Sequence, residues 1–481
     1  MKICSDYETV IGLEVHIQLN TKTKLFCSCS VEFGEKPNTN VCPVCLGFPG
    51  VLPVLNDNAV HLAIKAALAL NCSIQSISTF ARKHYFYPDL PKGYQITQYE
   101  KPLAKNGFLM VGDKKIRIRR LHLEEDAGKL LHTPNATLID FNRCGVPLVE
   151  VVTEPDISSP EEAVAFLSEL RNILRYLEVS SGDMEKGHLR CEPNISLKKG
   201  NILGTRREIK NLNSLKSVRE ALNYEIATQR AILESGGKIV QKTLLWDEAE
   251  KKTLPMREKE EAEDYRYFPE PDLPPLVIRE EEIEEIKKTI PELPGEKKKR
   301  FVASYSLSEK EAEILIREKA LADYYEEVIA HGEKPTTEFY KLSASWIINE
   351  VGRILNEENI PITQFKISPP QLAQLLNFLK EGKITQRAAK DVFFKMAREG
   401  KSAKEIIERE GLEKKVDEQE LEITVKEVLK ENPEVISSYK KGKTTVIEFL
   451  LGQVMKKTKG RFPPNQVREK ILENLKSHTE C

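Results

Sequence analysis

At 481 residues the chain is too long for one compact core, and a prior of roughly 150 residues per domain suggests about three domains. Its composition, 40% hydrophobic, 31% charged and 7% aromatic, is that of an ordinary folded protein and excludes a disordered chain. A net charge of −1 excludes a uniformly basic nucleic-acid coat, so any RNA contact has to be local.

The first predicted element is a strand over Ile11–Leu19. Ile11, Leu13, Val15, Ile17 and Leu19 point one way, while Gly12, Glu14, His16 and Gln18 point the other. Glu14 and His16 therefore share a face, a pattern that suits a solvated strand as well as a ligand pair. Cys27-Ser-Cys29 follows, and after twelve residues Cys42-Pro-Val-Cys45. Two close pairs of thiols match a closed four-coordinate Zn²⁺ site with no open position for catalysis. The alternative, four buried free cysteines, offers no reason for the pairing. Zinc would staple residues 20–50, which hold few core-forming groups of their own.

A helix is predicted over Asn56–Leu70, after Pro53. Its longest apolar run, Leu62–Leu70, is broken by Lys65, and the N-terminus lacks a signal-peptide run, so the protein is expected to be cytoplasmic and not membrane-spanning. Leu121–Gly128 ends an apparent strand with three adjacent acids, Glu124, Glu125 and Asp126. Like charges repel, so they face either water or a cation. Val146–Glu154 puts Glu150 inside a valine-rich strand, where an unpaired carboxylate is costly and Arg143 or a metal would satisfy it. One histidine and several carboxylates on neighbouring strands suit Mg²⁺ or Mn²⁺, which bridge to phosphate oxygens.

Further helices are predicted over Pro160–Tyr176, behind Ser158-Ser159, and over Leu215–Ser235, closed by Gly236-Gly237. The proline-rich, aromatic stretch 254–276 cannot be helix. From Glu280 onward the chain is Glu/Lys-rich with helical spacing, broken by Pro291, Pro294, Pro335, Pro361 and Pro369-Pro370. Boundaries near 293 and 409 divide it into 1–292, 293–408 and 409–481. From Ile436 to Cys481 ten Lys/Arg stand against four Asp/Glu, which makes the end basic.

No Gly-x-x-x-x-Gly-Lys-Ser/Thr loop, Gly-x-Gly-x-x-Gly or Gly-x-Ser-x-Gly elbow is present. Phosphate would then meet scattered cations such as Arg82, Lys83, Arg190 and Lys210, each of which reads equally well as a surface charge.

As a set, these blocks resemble one family over the whole chain: the B subunit of the bacterial tRNA-dependent amidotransferase. The resemblance is carried by Val10–His16, Phe48–Pro53, Arg82–Asp89, His122–Lys129, Asp140–Pro147, Leu189–Ser196, Ile209–Ser214, Tyr265–Asp272 and Leu450–Lys456. It implies an α+β protein: a mixed α/β cradle with a β-sheet core, a zinc-stapled loop and a kinase site, then an all-helical domain, then a small helical tail that touches tRNA. It also implies a heterotrimer with an amidase A subunit, which releases ammonia from glutamine, and a small C subunit. The implied reaction uses ATP and Mg²⁺ to phosphorylate the side chain of Glu-tRNA(Gln) or Asp-tRNA(Asn), and ammonia then displaces the phosphate.

Matching positions assign Glu14, His16 and Glu125 to catalysis and metal binding, with Glu124, Glu150 and Glu192 as nearby candidates. Glu192 and Pro193 stand where the family has Asp and Ala. The longer side chain moves the ligating oxygen by about one bond length and sets a water-bridged contact against direct ligation. Gln453, Lys456 and Lys459 fall in the block implied to touch tRNA. Two rival readings stay open: a zinc-stapled, non-catalytic tRNA scaffold, and a metallohydrolase.

Overall fold

The structure, a computed structural model, describes residues 7–257, 265–333, 335–412, 418–440, 446–458, 462 and 464–477. It divides into two compact units, Met1–Lys297 and Lys298–Cys481.

The first unit is built on a nine-stranded sheet. From one edge to the other its order is β14 (Lys252–Arg257), β13 (Thr243–Asp247), β12 (Arg207–Lys210), β11 (Leu189–Lys199), β1 (Tyr7–Gln18), β10 (Pro147–Thr153), β7 (Lys114–Glu125), β6 (Ala104–Val111) and β2 (Ser73–Ile74). All neighbours are antiparallel except β12 and β13. A three-stranded sheet joins β15 (Phe268–Pro269), β4 (Ala81–His84) and β5 (Tyr94–Thr97). Two small ribbons pair β16 (Leu276–Val277) with β3 (Ile77–Ser78), and β8 (Lys129–His132) with β9 (Thr137–Asp140). Among its described residues the proline-rich stretch 254–276 carries the end of β14, the short strand β15 and the start of β16, and no α-helix.

In the central strand β1, Ile11, Leu13, Val15 and Ile17 are buried, whereas Gly12, Glu14, His16 and Gln18 lie half-buried on the opposite face. The apolar face is covered by α1 (Asp57–Ala69), α2 (Pro160–Tyr176) and α3 (Leu215–Glu234), whose own buried residues complete one core; α4 (Glu280–Lys288) closes this unit's chain. The starts of α1, α2 and α3 each have a side-chain oxygen that takes an otherwise orphaned backbone N–H. Ala59 N donates to Asn56 Oδ1 at 3.2 Å, Glu162 N to Ser159 Oγ at 3.1 Å and Ser217 N to Ser214 Oγ at 3.0 Å. Behind α1 the chain leaves no room at Gly107: a Cβ there would stand 2.2 Å from Cys72 Sγ and 2.7 Å from Leu70 O.

The second unit is helical and holds two separate buried clusters, Phe301–Ile407 and Leu421–Leu475. Pro294 and Pro369 open helices instead of breaking them, because a proline at the first turn gives up only a donor that had no partner. Gly400 and Gly411 end helices in the left-handed conformation. The helix Thr337–Trp346 continues through a π turn at Ile347–Val351 into Gly352–Glu358. No described helix is long and apolar enough to cross a membrane.

Candidate functional site

Strand register assembles the site. His16 lies opposite Glu150 on β10 and Arg190 on β11; Glu150 lies opposite His122 on β7; Glu14 lies opposite Glu192. Because side chains alternate, these residues and Glu124 occupy the sheet face away from the helices. Two trios result. His16, Glu124 and Glu150 bring three ligand atoms within 4.8 Å of one another, and so do Glu14, Glu192 and Glu208.

In the first trio His16 Nε2 is 3.3 Å from Glu124 Oε1 and 3.8 Å from Glu150 Oε2. His122 Nε2 is 3.2 Å from Glu150 Oε2 and 3.8 Å from Glu124 Oε2, and Thr97 Oγ1 donates to Glu124 at 3.3 Å. Burial works against the Glu150 carboxylate, but His122, His16 and Lys83 outweigh it and hold its pKa well below the usual range. Burial likewise opposes a charged His122, yet Glu150 and Glu124 raise its pKa. In the second trio Asn194 Nδ2 donates to Glu14 at 2.8 Å. Glu192 is half-buried; desolvation raises its pKa, but Lys210 at 2.7 Å, with His16 and Arg190, brings it down to about 2.

The four cations named from sequence differ in what they already hold. Arg82 clasps the buried Glu270 through Nε at 2.7 Å and Nη2 at 2.8 Å, reaches Asp272 at 3.2 Å and lies over the Tyr94 ring. It straps segment 265–272 to β4. Arg190 pairs with Asp126 at 3.0 Å, and Lys210 with Glu192. Lys83 rests on Tyr265, 4.6 Å from the ring centre. Burial opposes its charge, but Tyr267, Glu124, Tyr85 and Glu150 more than compensate and raise its pKa.

Glu125 is not brought to either trio. It shares the parity of Leu121 and Leu123, turns to the core face, pairs with Lys92 and accepts from Ile96 N at 2.9 Å. There it lines a cavity of ≈ 260 Å³ together with Lys24, Lys92 and Cys45. Arg143, offered from sequence as a partner for Glu150, instead donates to Ala127 O and Gly128 O and lies 3.5 Å from Asp126. His122 and Glu208 were not singled out from the sequence. The parity that separates Glu125 from Glu124 would have found His122, and the Glu-x-Lys alternation of β12 hinted at Glu208.

Cys27, Cys29, Cys42 and Cys45 converge, with sulfurs within 4.8 Å of one another. Thiols this close cannot all ionise independently. A hydrogen bond from Cys27 brings Cys45 down to about 4, while burial and neighbouring thiols push Cys29 up to about 11. Lys24, fully buried, points Nζ at Cys45 Sγ (3.5 Å) and Phe141 O (3.2 Å). In the tail, Gln453 is half-buried and Lys456 exposed on the helix Val446–Lys457; Lys459 lies outside the described residues.

The open sheet carries acids and imidazoles on one face and helices on the other, and the class it belongs to comes from the family models that match the chain. Residues 9–284 match the family model described as the GatB/GatE catalytic domain, and residues 323–475 match the GatB domain. The chain is 51% identical to the B subunit of aspartyl/glutamyl-tRNA(Asn/Gln) amidotransferase from Carboxydothermus hydrogenoformans, covering 98% of this chain and 99% of that one. The same protein of Persephonella marina is 51% identical (98% and 100% covered), and that of Thermodesulfovibrio yellowstonii 50% (98% and 99%). The chain belongs to this family of B subunits. It is accordingly a ligase component of translation, the catalytic B-type subunit of a tRNA-dependent amidotransferase.

Proposed function

We propose that the acid and imidazole patch is the centre at which ATP activates the side-chain carboxylate of Glu-tRNA(Gln) or Asp-tRNA(Asn) for amidation. The observation that carries this reading is the pair of trios on one sheet face. Oxygen and imidazole donors in two groups suit Mg²⁺ or Mn²⁺, one at His16, Glu124 and Glu150 and one at Glu14, Glu192 and Glu208. Bound there, such ions would neutralise phosphate oxygens in phosphoryl transfer.

The residues of the chain divide the remaining work. A carboxylate does not accept ammonia until one oxygen becomes a leaving group, so the substrate carboxylate attacks the γ-phosphorus of ATP, ADP leaves, and ammonia displaces phosphate from the acyl phosphate. Lys83 faces the incoming phosphates. Arg190 pairs with Asp126, Lys210 holds Glu192 ionised and in place, and Arg82 fixes the aromatic segment beside β4. His122 keeps Glu150 ionised. The protein carboxylates bind; they do not attack.

Ammonia comes from an amidase A subunit, and a small C subunit completes the heterotrimer in the cytoplasm. The four cysteines hold a structural Zn²⁺, since thiolates are soft donors and four of them close the coordination sphere. The tail, with Gln453, Lys456 and Lys459, contacts tRNA phosphates. The three divisions 1–292, 293–408 and 409–481 correspond to catalytic, helical and tRNA-contacting parts.

The test is Glu124→Ala in the reconstituted complex. Glu-tRNA-dependent ATP hydrolysis is expected to fall on the order of 10²-fold or more, with tRNA binding retained. Unchanged hydrolysis would refute the assignment of ATP chemistry to this patch.

A further inference from the structure

We infer that Arg120 is a further phosphate-contacting residue of this reaction, holding the terminal phosphates of the nucleotide over the acid and imidazole patch. The inference rests on the ATP-dependent reading of that patch.

Arg120, His122 and Glu124 follow one another at two-residue intervals on β7 and so share the site face, with His122 directly opposite Glu150. The cations of this neighbourhood are otherwise engaged: Arg190 with Asp126, Lys210 with Glu192, Lys92 with Glu125 and Arg82 with Glu270. On β7 itself Arg117 clasps Asp156 and Arg119 clasps Glu154. Arg120 has no carboxylate within ion-pair distance among the described residues, and its Nε is buried without a hydrogen-bond partner.

Arg120 is half-buried, so its guanidinium keeps part of its hydration while Nε is shut off without an acceptor, and an anionic ligand would supply one. Its place in the site is given by register: Arg120 lies opposite Val152, two residues along β10 from the Glu150–His122 pair. The ligand must be anionic, because the five carboxylates of the two trios already repel a nucleotide and an uncommitted cation offsets them. It must also be planar or multidentate enough to use a fork of donors, which phosphate oxygens are. Lys83 supplies a point charge on an aromatic rest; Arg120 supplies directed donors.

The experiment uses the reconstituted complex with Arg120→Gln, Arg120→Lys and, as a control for the parent reading, Glu124→Gln. Binding of a non-hydrolysable ATP analogue is measured without tRNA, alongside tRNA binding, Tm, Glu-tRNA-dependent ATP hydrolysis and glutamine hydrolysis by the partner. Arg120→Gln is expected to weaken analogue binding about ten-fold to a hundred-fold. Arg120→Lys should recover part of the loss, with glutamine hydrolysis and Tm unchanged.

Wild-type analogue affinity in Arg120→Gln, with hydrolysis lost in Glu124→Gln, overturns the Arg120 assignment and leaves the parent reading standing. Unchanged hydrolysis in both variants overturns the two together. A defect confined to tRNA binding gives the guanidinium to a tRNA phosphate and overturns the nucleotide assignment. A matching fall in Tm in both Arg120 variants makes it a structural residue and overturns it as well.

Discussion

Glu225 on α3 is fully buried, and its charge is met by Arg207 Nη1 at 3.0 Å, Gln229 Nε2 at 3.0 Å and Thr253 Oγ1 at 3.2 Å. Removing one partner of a buried pair leaves an uncompensated ion, so Arg207→Ala is expected to destabilise the first unit by about 3 kcal/mol. Denaturant unfolding checks this, and a change below about 0.5 kcal/mol refutes it. Arg119 and Arg117 act differently, at the surface. Their hydrogen bonds hold the carboxyls of Glu154 and Asp156 below the ordinary range. A lowered folded-state pKa gives stability that is present above the unfolded value near pH 4 and is lost as pH falls through the folded one. Replacing both arginines by alanine should therefore flatten the decline of Tm below about pH 4. An unchanged slope counts against the pairs.

At the scale of the element, a two-residue period decides chemistry on β7. Glu124 and Glu125 are neighbours in sequence, yet one faces His16 and the other faces Lys92 across the sheet. Glu125→Ala should strand the buried Lys92 ammonium and cost about 3 kcal/mol of stability, whereas Glu124→Ala should act on ATP hydrolysis. Equal unfolding midpoints for wild type and Glu125→Ala would dismiss the first half. Much of this was legible beforehand. The helices announce themselves through Asn56, Ser159 and Ser214, because a cap is a local interaction, and the face shared by Glu14 and His16 follows from alternation alone. The second trio was not legible. It depends on β12 lying beside β11, where Glu208 is opposite Asn194, and long-range register leaves no mark in a single sequence. The resemblance by itself put Glu125 in the metal site; applying the same alternation to Leu121–Glu125 would have put it in the core.

For the whole molecule, the tail carries its own buried cluster from Leu421 to Leu475. On it Lys457 is engaged by Glu431 at 2.6 Å and Glu427 at 3.4 Å, while Lys456 is exposed. Truncation after Arg409 should weaken tRNA binding and make its salt dependence less steep, while sparing glutamine hydrolysis by the partner. Equal affinity with and without the tail would contradict it. Metal analysis of the purified chain should return about one zinc per chain, lost when Cys42 and Cys45 are both serine.

Lys24 would give a zinc at the four cysteines a reach beyond its own loop. A dication held by four thiolates would leave a surplus of negative charge, and the buried Lys24 ammonium, 3.5 Å from Cys45 Sγ, stands where it would offset it. A chain synthesised without zinc would have to bury Lys24 against uncharged thiols, a few ångströms from the cavity that holds Lys92 and Glu125. Zinc supply would then act on maturation. In zinc-starved cells the newly made subunit would linger open and be drawn to chaperones and proteases, so that translation would feel the shortage through the abundance of this chain rather than through its turnover rate.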